Sequence, residues 1–155
     1  MDIPQATPRD LEIIRGPLMK SIPWITDSGL RLDFLEVGHV RLTVPAARHL
    51  NHLGIVYAGT HFMLMEVAGA ILFWSLYGLD RFAPVNREMS IRYLRPAKSD
   101  ISCELSLDPE EAASRIAPAV ERGKGDWILD MAVTDTSGNV VSTSTCHYVA
   151  IPKPA

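Results

Sequence analysis

The residue with the clearest chemical potential is Glu66, an ionisable carboxylate in an apolar stretch of the chain. Residues 61–77 read HFMLMEVAGAILFWSLY and are apolar around a whole helical wheel. A carboxylate in such surroundings must lose water, pair or lie at a cleft, and loss of water raises its pKa toward the range of a general base. We interpret Glu66 as the candidate base. The alternative is a structural ion pair with an Arg or Lys of a neighbouring strand or subunit.

A second candidate group is the backbone at Ala58 and Gly59, just before this stretch. Small residues at the start of a helix leave free N–H groups at the positive end of the helix dipole, where they can bind an anion or a carbonyl oxygen. Taken alone, the two small residues are better explained by a tight turn into the helix. Their position shortly before Glu66 favours an oxyanion site.

The spacing of these two groups predicts a dimer. Ala58 and Glu66 are eight residues apart, which is ~10 to 12 Å along a helix axis. A reacting carbonyl needs both a donor and a base within about 3 Å. One chain's donor and its own carboxylate therefore cannot easily meet on one carbonyl. An antiparallel pair of such helices across a two-fold axis would bring them together, so we expect a homodimer with two shared sites.

The element that must position both groups is the apolar helix 61–77. Thr60 is its predicted N-cap and Gly78 its predicted stop. Seventeen residues are fewer than the ~20 apolar residues of a membrane-spanning helix, and the stretch carries Glu66 in its first half. We interpret it as the enclosed core helix of the protein, with no membrane span.

An antiparallel sheet is predicted around this helix, which gives an α+β fold. Predicted strands cover residues 30–44, 85–95, 100–107, 125–135 and 140–151, and predicted flanking helices cover residues 8–20 and 108–123. Gly38 marks a bulge or bend in the first strand, and Gly16-Pro17 interrupts the first helix. Asp108 is the predicted N-cap of the second flanking helix, which we expect to kink at Pro118.

Composition limits the classes of function. The 155 residues are 47% hydrophobic with a net charge of −3, which predicts one domain and gives no basic field for nucleic acid. Cys103 and Cys146 lack metal or CxxC spacing, and the N-terminus resembles no secretory signal, so we expect a reduced, cytoplasmic protein. The five histidines show no metal-binding or hydrolase-triad pattern, and no dinucleotide or P-loop motif is present. We therefore expect neither a metal nor a cofactor.

A basic group follows the helix in the segment SIRYLRPAK. Arg92, Arg95 and Lys98 lie near the end of a predicted strand. They are candidates for binding the phosphates of a substrate. A solvated strand face explains them at least as well.

The segments VRLTVPAARHLNHLGIVYAGTHFMLMEVAGA and REMSIRYLRPAKSD together resemble the hotdog-fold thioesterase superfamily. The likeness is to PaaI-type acyl-CoA thioesterases and the DUF4442 group, which carries a similar helix between the third and fourth strands. It covers about residues 30–151. The resemblance implies a single hotdog domain over residues 1–155, with 1–29 as an N-terminal helical extension and 30–151 as the core.

The resemblance also implies roles for individual residues. Members carry a pattern like Asn-x-x-Gly-x-x-His-Gly-Gly before the helix and an Asp or Glu within it. At the matching positions here, Asn51 would orient the water or the loop, the Ala58 N–H would polarise the carbonyl, and Glu66 would be the base or nucleophile. Tyr57 and Ala58 replace His-Gly, so donation by Ala58 requires a negative φ.

The remaining implied candidates are substrate-binding residues. Asn86 matches a polar position that holds the attacking water in some members. Tyr57, from the same motif, and the basic residues Arg92 and Arg95 complete the set of substrate-binding candidates. These residues predict hydrolysis of acyl-CoA or a similar thioester by a homodimer, with association into a dimer of dimers left open. The alternative is a non-catalytic binder of acyl-CoA or a lipid-like ligand. A hotdog dehydratase is a weaker third candidate, because it would need a paired histidine and acid.

Overall fold

The computed structural model describes residues 1–154, in which six strands form one antiparallel sheet. The strands are β1 (Arg31–Glu36), β2 (His39–Val44), β3 (Phe82–Tyr93), β4 (Ile101–Ser106), β5 (Gly125–Thr134) and β6 (Val140–Pro152). Their order across the sheet is β1-β2-β4-β5-β6-β3. The twelve-residue strand β3 is therefore an edge strand, paired with β6 along one side only.

The sheet surrounds a twenty-residue helix, α3 (Ala58–Tyr77), which packs against β2 to β6. Its core-facing side chains, such as Leu64, Met65 and Leu72, are fully buried because they pack against the inner face of the sheet. α3 is the one described helix with the length and apolarity of a membrane span, and most of that span is buried inside the protein. The predicted core helix surrounded by an antiparallel sheet is confirmed.

The start of α3 differs from the prediction. Tyr57, with an extended backbone at φ −58° and ψ 137°, is the N-cap residue, so the expectation of Thr60 as the cap was wrong. Thr60 lies inside the first turn, where its hydroxyl is 3.1 Å from Nδ1 of His49. At the other end the helix stops at Gly78, as predicted, with a φ of +75° that favours glycine.

Residues 30–44 form a hairpin and not one strand with a bulge or bend. β1 and β2 pair antiparallel across the Val37-Gly38 turn, with Glu36 opposite His39. Gly38 has a φ of +75°, and a Cβ there would lie 2.7 Å from the carbonyl oxygen of Leu107. The alternating pattern persists through a short turn, so periodicity alone did not separate the two strands.

Helix α4 (Pro109–Arg122) packs against β5 beside a gap in the sheet. β4 and β5 pair at only two positions, at the Thr134 end of β5. The predicted N-cap is confirmed, since the Asp108 side chain accepts a hydrogen bond from the Glu111 amide at 2.8 Å. The hydroxyl of Tyr77, the last residue of α3, donates to the carbonyl of Ala112 in α4 at 2.7 Å and so links the two helices.

An N-terminal segment packs against α3. It comprises α1 (Pro8–Ile13), a π-helical turn (Ile14–Leu18) that contains Pro17, and α2 (Pro23–Ser28). The predicted interruption near Gly16-Pro17 is thus present. The carboxylate of Asp10 accepts a hydrogen bond from the Leu79 amide at 3.2 Å, which links this segment to the end of α3.

Candidate functional site

The first part of the site is the N-terminus of α3, which opens on a cavity of about 340 Å³ lined by Asn51, Ala58, His61, Tyr93 and Arg95, among others. No side chain of the described residues caps this terminus, so the first N–H groups remain available as donors. No described residue other than glycine has a positive φ, and Ala58 therefore meets the condition for donation in place of glycine.

Asn51 holds the loop that leads into α3. Its side-chain oxygen accepts hydrogen bonds from the amides of Leu53 at 2.9 Å and Ile55 at 3.4 Å. That oxygen is committed to the backbone, which favours the loop-orienting role over the water-orienting one.

Tyr57 and Gly59, the residues on either side of Ala58, contact each other. The Tyr57 ring packs over Gly59, where a Cβ would lie 2.6 Å from a ring carbon. Glycine at position 59 therefore makes room for the ring. Tyr57 itself is largely exposed at the mouth of the helix terminus.

Two residues of this cavity were not singled out from the sequence. The Tyr93 hydroxyl donates to the Ala58 carbonyl at 2.8 Å. His61 is 3% exposed, its Nδ1 lies 2.8 Å from the Ser142 hydroxyl, and burial lowers its pKa. Within residues 1–154, His61 therefore pairs with a hydroxyl, and one chain alone forms no acid–histidine pair at this residue.

The second part of the site is Glu66, which lines a cavity of about 110 Å³ between α3 and the N-terminal segment. Burial raises the pKa of its carboxyl group. Among residues 1–154 the carboxylate forms no ion pair. An ion pair with a neighbouring strand of the same chain is therefore not the explanation for this residue.

The backbone that carries Glu66 is tied to β6. The Tyr148 hydroxyl donates to the Glu66 carbonyl oxygen at 2.6 Å, and it lies so close to Gly69 that a Cβ there would overlap it. Burial, with a contribution from the Glu66 carboxylate, raises the pKa of the Cys146 thiol to about 11. Asn86 pairs in the sheet with Tyr148, the residue that bonds the Glu66 carbonyl, and its side-chain amide lies 4.0 Å from the sulfur of Met89.

The candidate residues thus fall into separate groups. Ala58, Asn51 and Arg95 share the cavity at the start of α3, and Glu66 lies in the other cavity. Arg92 lines a third cavity on the outer face of the sheet, with Asp130 and Thr145. The structure therefore does not bring Arg92 and Arg95 to one place. Within residues 1–154, no group of three His, Cys, Asp or Glu side chains could hold a metal ion.

Sequence comparison assigns the family. The model of the family described as Domain of unknown function (DUF4442) matches residues 12–149. The chain belongs to the DUF4442 family. No curated protein matches it.

Solved structures similar to this DUF4442 protein include a Pseudomonas aeruginosa protein of unknown function described as a probable thioesterase. It shares 38% identity with a TM-score of 0.80, over 97% of this chain and 99% of its own. A putative thioesterase from Shewanella oneidensis shares 20% identity, with a TM-score of 0.73 over 94% of this chain and all of its own. A Haemophilus influenzae thioesterase shares 16%, with a TM-score of 0.67 over 92% and 90%.

The last two likenesses establish the fold alone, because their identities are low. Together with the 38% identical relative they confirm the α+β hotdog fold of this DUF4442 protein, an antiparallel sheet around a long apolar helix. The resemblance to the hotdog-fold thioesterase superfamily is confirmed with it.

Proposed function

We propose that this protein hydrolyses acyl-CoA-type thioesters at two sites shared across a homodimer. The observation that supports this most is Glu66, a partly buried carboxylate whose pKa is raised by burial and which has no ion-pair partner in the described chain. Carboxylates with a raised pKa concentrate at catalytic sites, where they serve as bases. The 38% identical relative, described as a probable thioesterase, supports the same reaction class.

The homodimer follows from the separation of Glu66 and the helix terminus. Ala58, whose N–H is free, lines one cavity and Glu66 lines another, so neither cavity holds both that donor and the Glu66 carboxylate. The unpaired edge of β3 offers twelve residues for antiparallel pairing with a second copy. Such pairing would set two copies of α3 side by side in opposite directions.

The proposed reaction adds water across the thioester. The Ala58 and Gly59 N–H groups of one protomer bind the carbonyl oxygen, where negative charge develops. Glu66 of the partner subunit takes a proton from water, whose oxygen bonds to the carbonyl carbon. The carbon–sulfur bond then breaks, and the thiolate leaves with that proton as free CoA. In an alternative first step, the Glu66 carboxylate attacks the carbon, the carbon–sulfur bond breaks and the CoA thiolate leaves, which forms an anhydride. Water then opens the anhydride to the free acid and the Glu66 carboxylate, and the proton released from water goes to the thiolate.

Other candidate residues have supporting roles. Arg95 lines the same cavity as Ala58 and is the candidate for a phosphate of CoA. Asn86, which pairs in the sheet with Tyr148, is the candidate for holding the water. A cytoplasmic location, where CoA thioesters and reduced thiols coexist, fits the two buried free cysteines.

The test is release of free thiol from acetyl-, butanoyl-, octanoyl- and phenylacetyl-CoA, with thermal unfolding recorded alongside. We expect Glu66→Gln to lower kcat by about 100-fold or more, the contribution of a general base, while the protein stays folded. Glu110→Gln, a change on the exposed start of α4, is the matched control and should leave kcat unchanged.

A non-catalytic binder is the second candidate, favoured by the Tyr57 ring that packs over Gly59 at the helix terminus. It predicts no thiol release from any of the four thioesters by the wild type. Acyl-CoA would nevertheless raise the melting temperature. That pair of results would overturn the proposed hydrolysis.

A further inference from the structure

We propose that His61 is a third donor to the thioester oxygen, through a ring N–H that it presents beside the N–H groups of Ala58 and Gly59. The proposal rests on the proposed thioester hydrolysis and adds a catalytic residue to that site. It follows from the way in which the imidazole is held in the cavity at the start of α3.

His61 and Ala58 lie on the same side of α3. They are three residues apart, which is the spacing of neighbours on a helix surface, and both line the cavity of about 340 Å³. Long side chains on a helix lean toward its N-terminus, so the imidazole extends back over the first turn. A cavity of this size is large enough for a thioester group and the atoms next to it.

Tyr93 of β3 contacts both of these residues. Its hydroxyl donates to the Ala58 carbonyl at 2.8 Å, and its ring meets the His61 ring edge-on, with the ring centroids 5.4 Å apart. The same tyrosine therefore restricts the first turn of the helix and the imidazole, which keeps the His61 ring close to the backbone donors.

The hydrogen bond to Ser142 decides which ring nitrogen of His61 carries the proton. Ser142 is fully buried, and within residues 1–154 its hydroxyl bonds only Nδ1 of His61, at 2.8 Å. A buried hydroxyl satisfies its proton by donating it, so Nδ1 is the acceptor and carries no proton. Burial lowers the pKa of His61, which keeps the ring neutral at pH 7. The single ring proton is therefore on Nε2.

Nε2 of His61 is open to the cavity that the residue lines. Within residues 1–154 it forms no hydrogen bond. It is not among the unpaired side-chain atoms that the described fold shields from solvent, unlike Nε1 of Trp74, so a small molecule can reach it. An acceptor oxygen in the cavity would pair with a donor that the chain itself leaves unpaired.

A neutral imidazole N–H can stabilise an oxyanion without giving up its proton. Negative charge develops on the thioester oxygen when water adds to the carbonyl carbon, and the N–H groups of Ala58, Gly59 and His61 donate to that oxygen. The charge leaves the oxygen when the carbonyl re-forms and the carbon–sulfur bond breaks. The proton of His61 stays on Nε2 throughout, as in other enzymes in which a neutral histidine polarises a carbonyl.

The test replaces the two nitrogens of the imidazole separately. In His61→Asn the amide takes the position of Nδ1, so it keeps a partner for Ser142 but removes the donor in the cavity. In His61→Gln the amide reaches the position of Nε2 and keeps that donor. We expect kcat for the thioester that the wild type hydrolyses fastest to fall by about 100-fold in His61→Asn, as for the loss of an oxyanion donor, and by less than about tenfold in His61→Gln.

His39→Asn is the control, because His39 lies on β2 and bonds Glu104 of β4, away from the cavity. It should leave kcat unchanged, and urea unfolding of all three variants shows whether each is folded. Wild-type kcat in His61→Asn would overturn the proposal. Equal losses in His61→Asn and His61→Gln would also overturn it, because they would show that the ring acts only through packing.

A second measurement uses wild-type protein alone and so does not depend on the folding of a variant. Long-range ¹H–¹⁵N spectra of the five histidine rings distinguish a proton on Nε2 from one on Nδ1, and the contact with the Tyr93 ring identifies His61. We expect the proton on Nε2, and we expect its signal to move with a ketone analogue of acetyl-CoA in which CH₂ replaces the thioester sulfur. S-ethyl-CoA, which lacks the carbonyl, should move it far less. A proton on Nδ1, or equal shifts with the two compounds, would overturn the proposal.

The two proposals fail in different ways. Equal rates of thiol release by the wild type and a folded His61→Asn would defeat this inference and leave the proposed function standing. A selective shift of the His61 signal by the ketone analogue, without thiol release from any thioester, would defeat the proposed function instead.

Discussion

The two cavities on α3 differ in the chemistry that each provides. The one at the N-terminus of the helix has backbone donors and polar neighbours, including Arg95 and His61, but no carboxylate. The one at the middle of the helix has the Glu66 carboxylate in apolar surroundings, with no cation beside it. One chain therefore keeps the group that stabilises negative charge apart from the group that carries it.

This separation serves both groups. A carboxylate next to the donors of its own helix would accept their hydrogen bonds, and its pKa would fall. Glu66, held in apolar surroundings, keeps its raised pKa and stays basic. The Ala58 and Gly59 N–H groups, in turn, remain free for an incoming oxygen. In the proposed dimer the two groups meet only across the two-fold axis.

The largest effect is expected from Ala58→Pro, which removes a donor from the N-terminus of α3. Proline is accepted at the first position of a helix, and Tyr57 already has the extended backbone that precedes proline. We expect a folded protein whose kcat falls by about 100- to 1,000-fold, as for the loss of an oxyanion donor. Steady-state kinetics and circular dichroism measure the two effects.

Ala58→Ser is the control for that change, because it keeps the N–H and should retain most of the activity. Full activity in a folded Ala58→Pro protein would show that the Ala58 N–H does not bind the reacting oxygen.

A mixture of subunits tests whether the two cavities cooperate across a dimer. If Ala58→Pro and Glu66→Gln chains are co-expressed, about half of the dimers contain one of each, and one of their two sites is intact. We expect about one quarter of wild-type activity from such a mixture, although each variant alone is nearly inactive. A mixture no more active than its components would exclude shared sites.

A smaller effect is expected at the contact that fixes the backbone of Glu66. Tyr148→Phe removes the hydrogen bond to the Glu66 carbonyl, which should lower the free energy of unfolding by about 1 kcal/mol. If Tyr148 is a positioning residue for Glu66, kcat should also fall, by about fivefold, the equivalent of one ordinary hydrogen bond, while KM stays unchanged.

Tyr77→Phe is the comparison for this variant, because it also removes a buried tyrosine hydroxyl that donates to a backbone carbonyl. It leaves the Trp127 N–H without its acceptor as well, so its loss of stability should be the larger of the two. It should lower stability, measured by urea unfolding, and leave kcat unchanged. Equal loss of kcat in both variants would mean that Tyr148 acts only on stability.

The smallest expected effect is on the pH dependence of stability. Burial raises the pKa of Glu66 above 4.5 in the folded protein, so the folded state holds this proton more tightly than the unfolded state does. The contribution of Glu66 to stability is therefore full below pH 4.5 and is lost as pH rises through the raised pKa. Relative to wild type, Glu66→Gln should gain stability over that interval.

Urea unfolding of both proteins between pH 4 and pH 8 measures this difference, and groups common to both proteins cancel. If Glu66→Gln is instead less stable than wild type by several kcal/mol at neutral pH, Glu66 is a buried ion-pair partner of a second subunit. That result would show that Glu66 is a structural residue and not the base of the reaction.

Much of the fold was predictable because local pattern decides it. The all-round apolarity of 61–77 requires a core helix, and the Asp108 cap and the Gly78 stop are short-range signals. The start of α3 was predicted too late, because the signal at Thr60 is its hydroxyl, and that hydroxyl bonds His49. The β1–β2 turn was missed because a two-residue turn leaves the alternation in place.

Only those properties of the site that depend on nearby residues in the sequence could be predicted. The desolvation of Glu66 follows from its apolar sequence neighbours. The partners of His61 and Tyr148 lie 81 and 82 residues away in the chain, so only the folded structure pairs them.

The close approach of Tyr148 to Gly69 constrains how this chain can vary. Position 69 lies in the middle of a helix, where glycine is unfavourable, yet any side chain there would overlap the tyrosine ring. The two positions are 79 residues apart in the sequence but can change only together. Among relatives, we expect alanine or a larger residue at the first position only where a smaller residue replaces the tyrosine at the second.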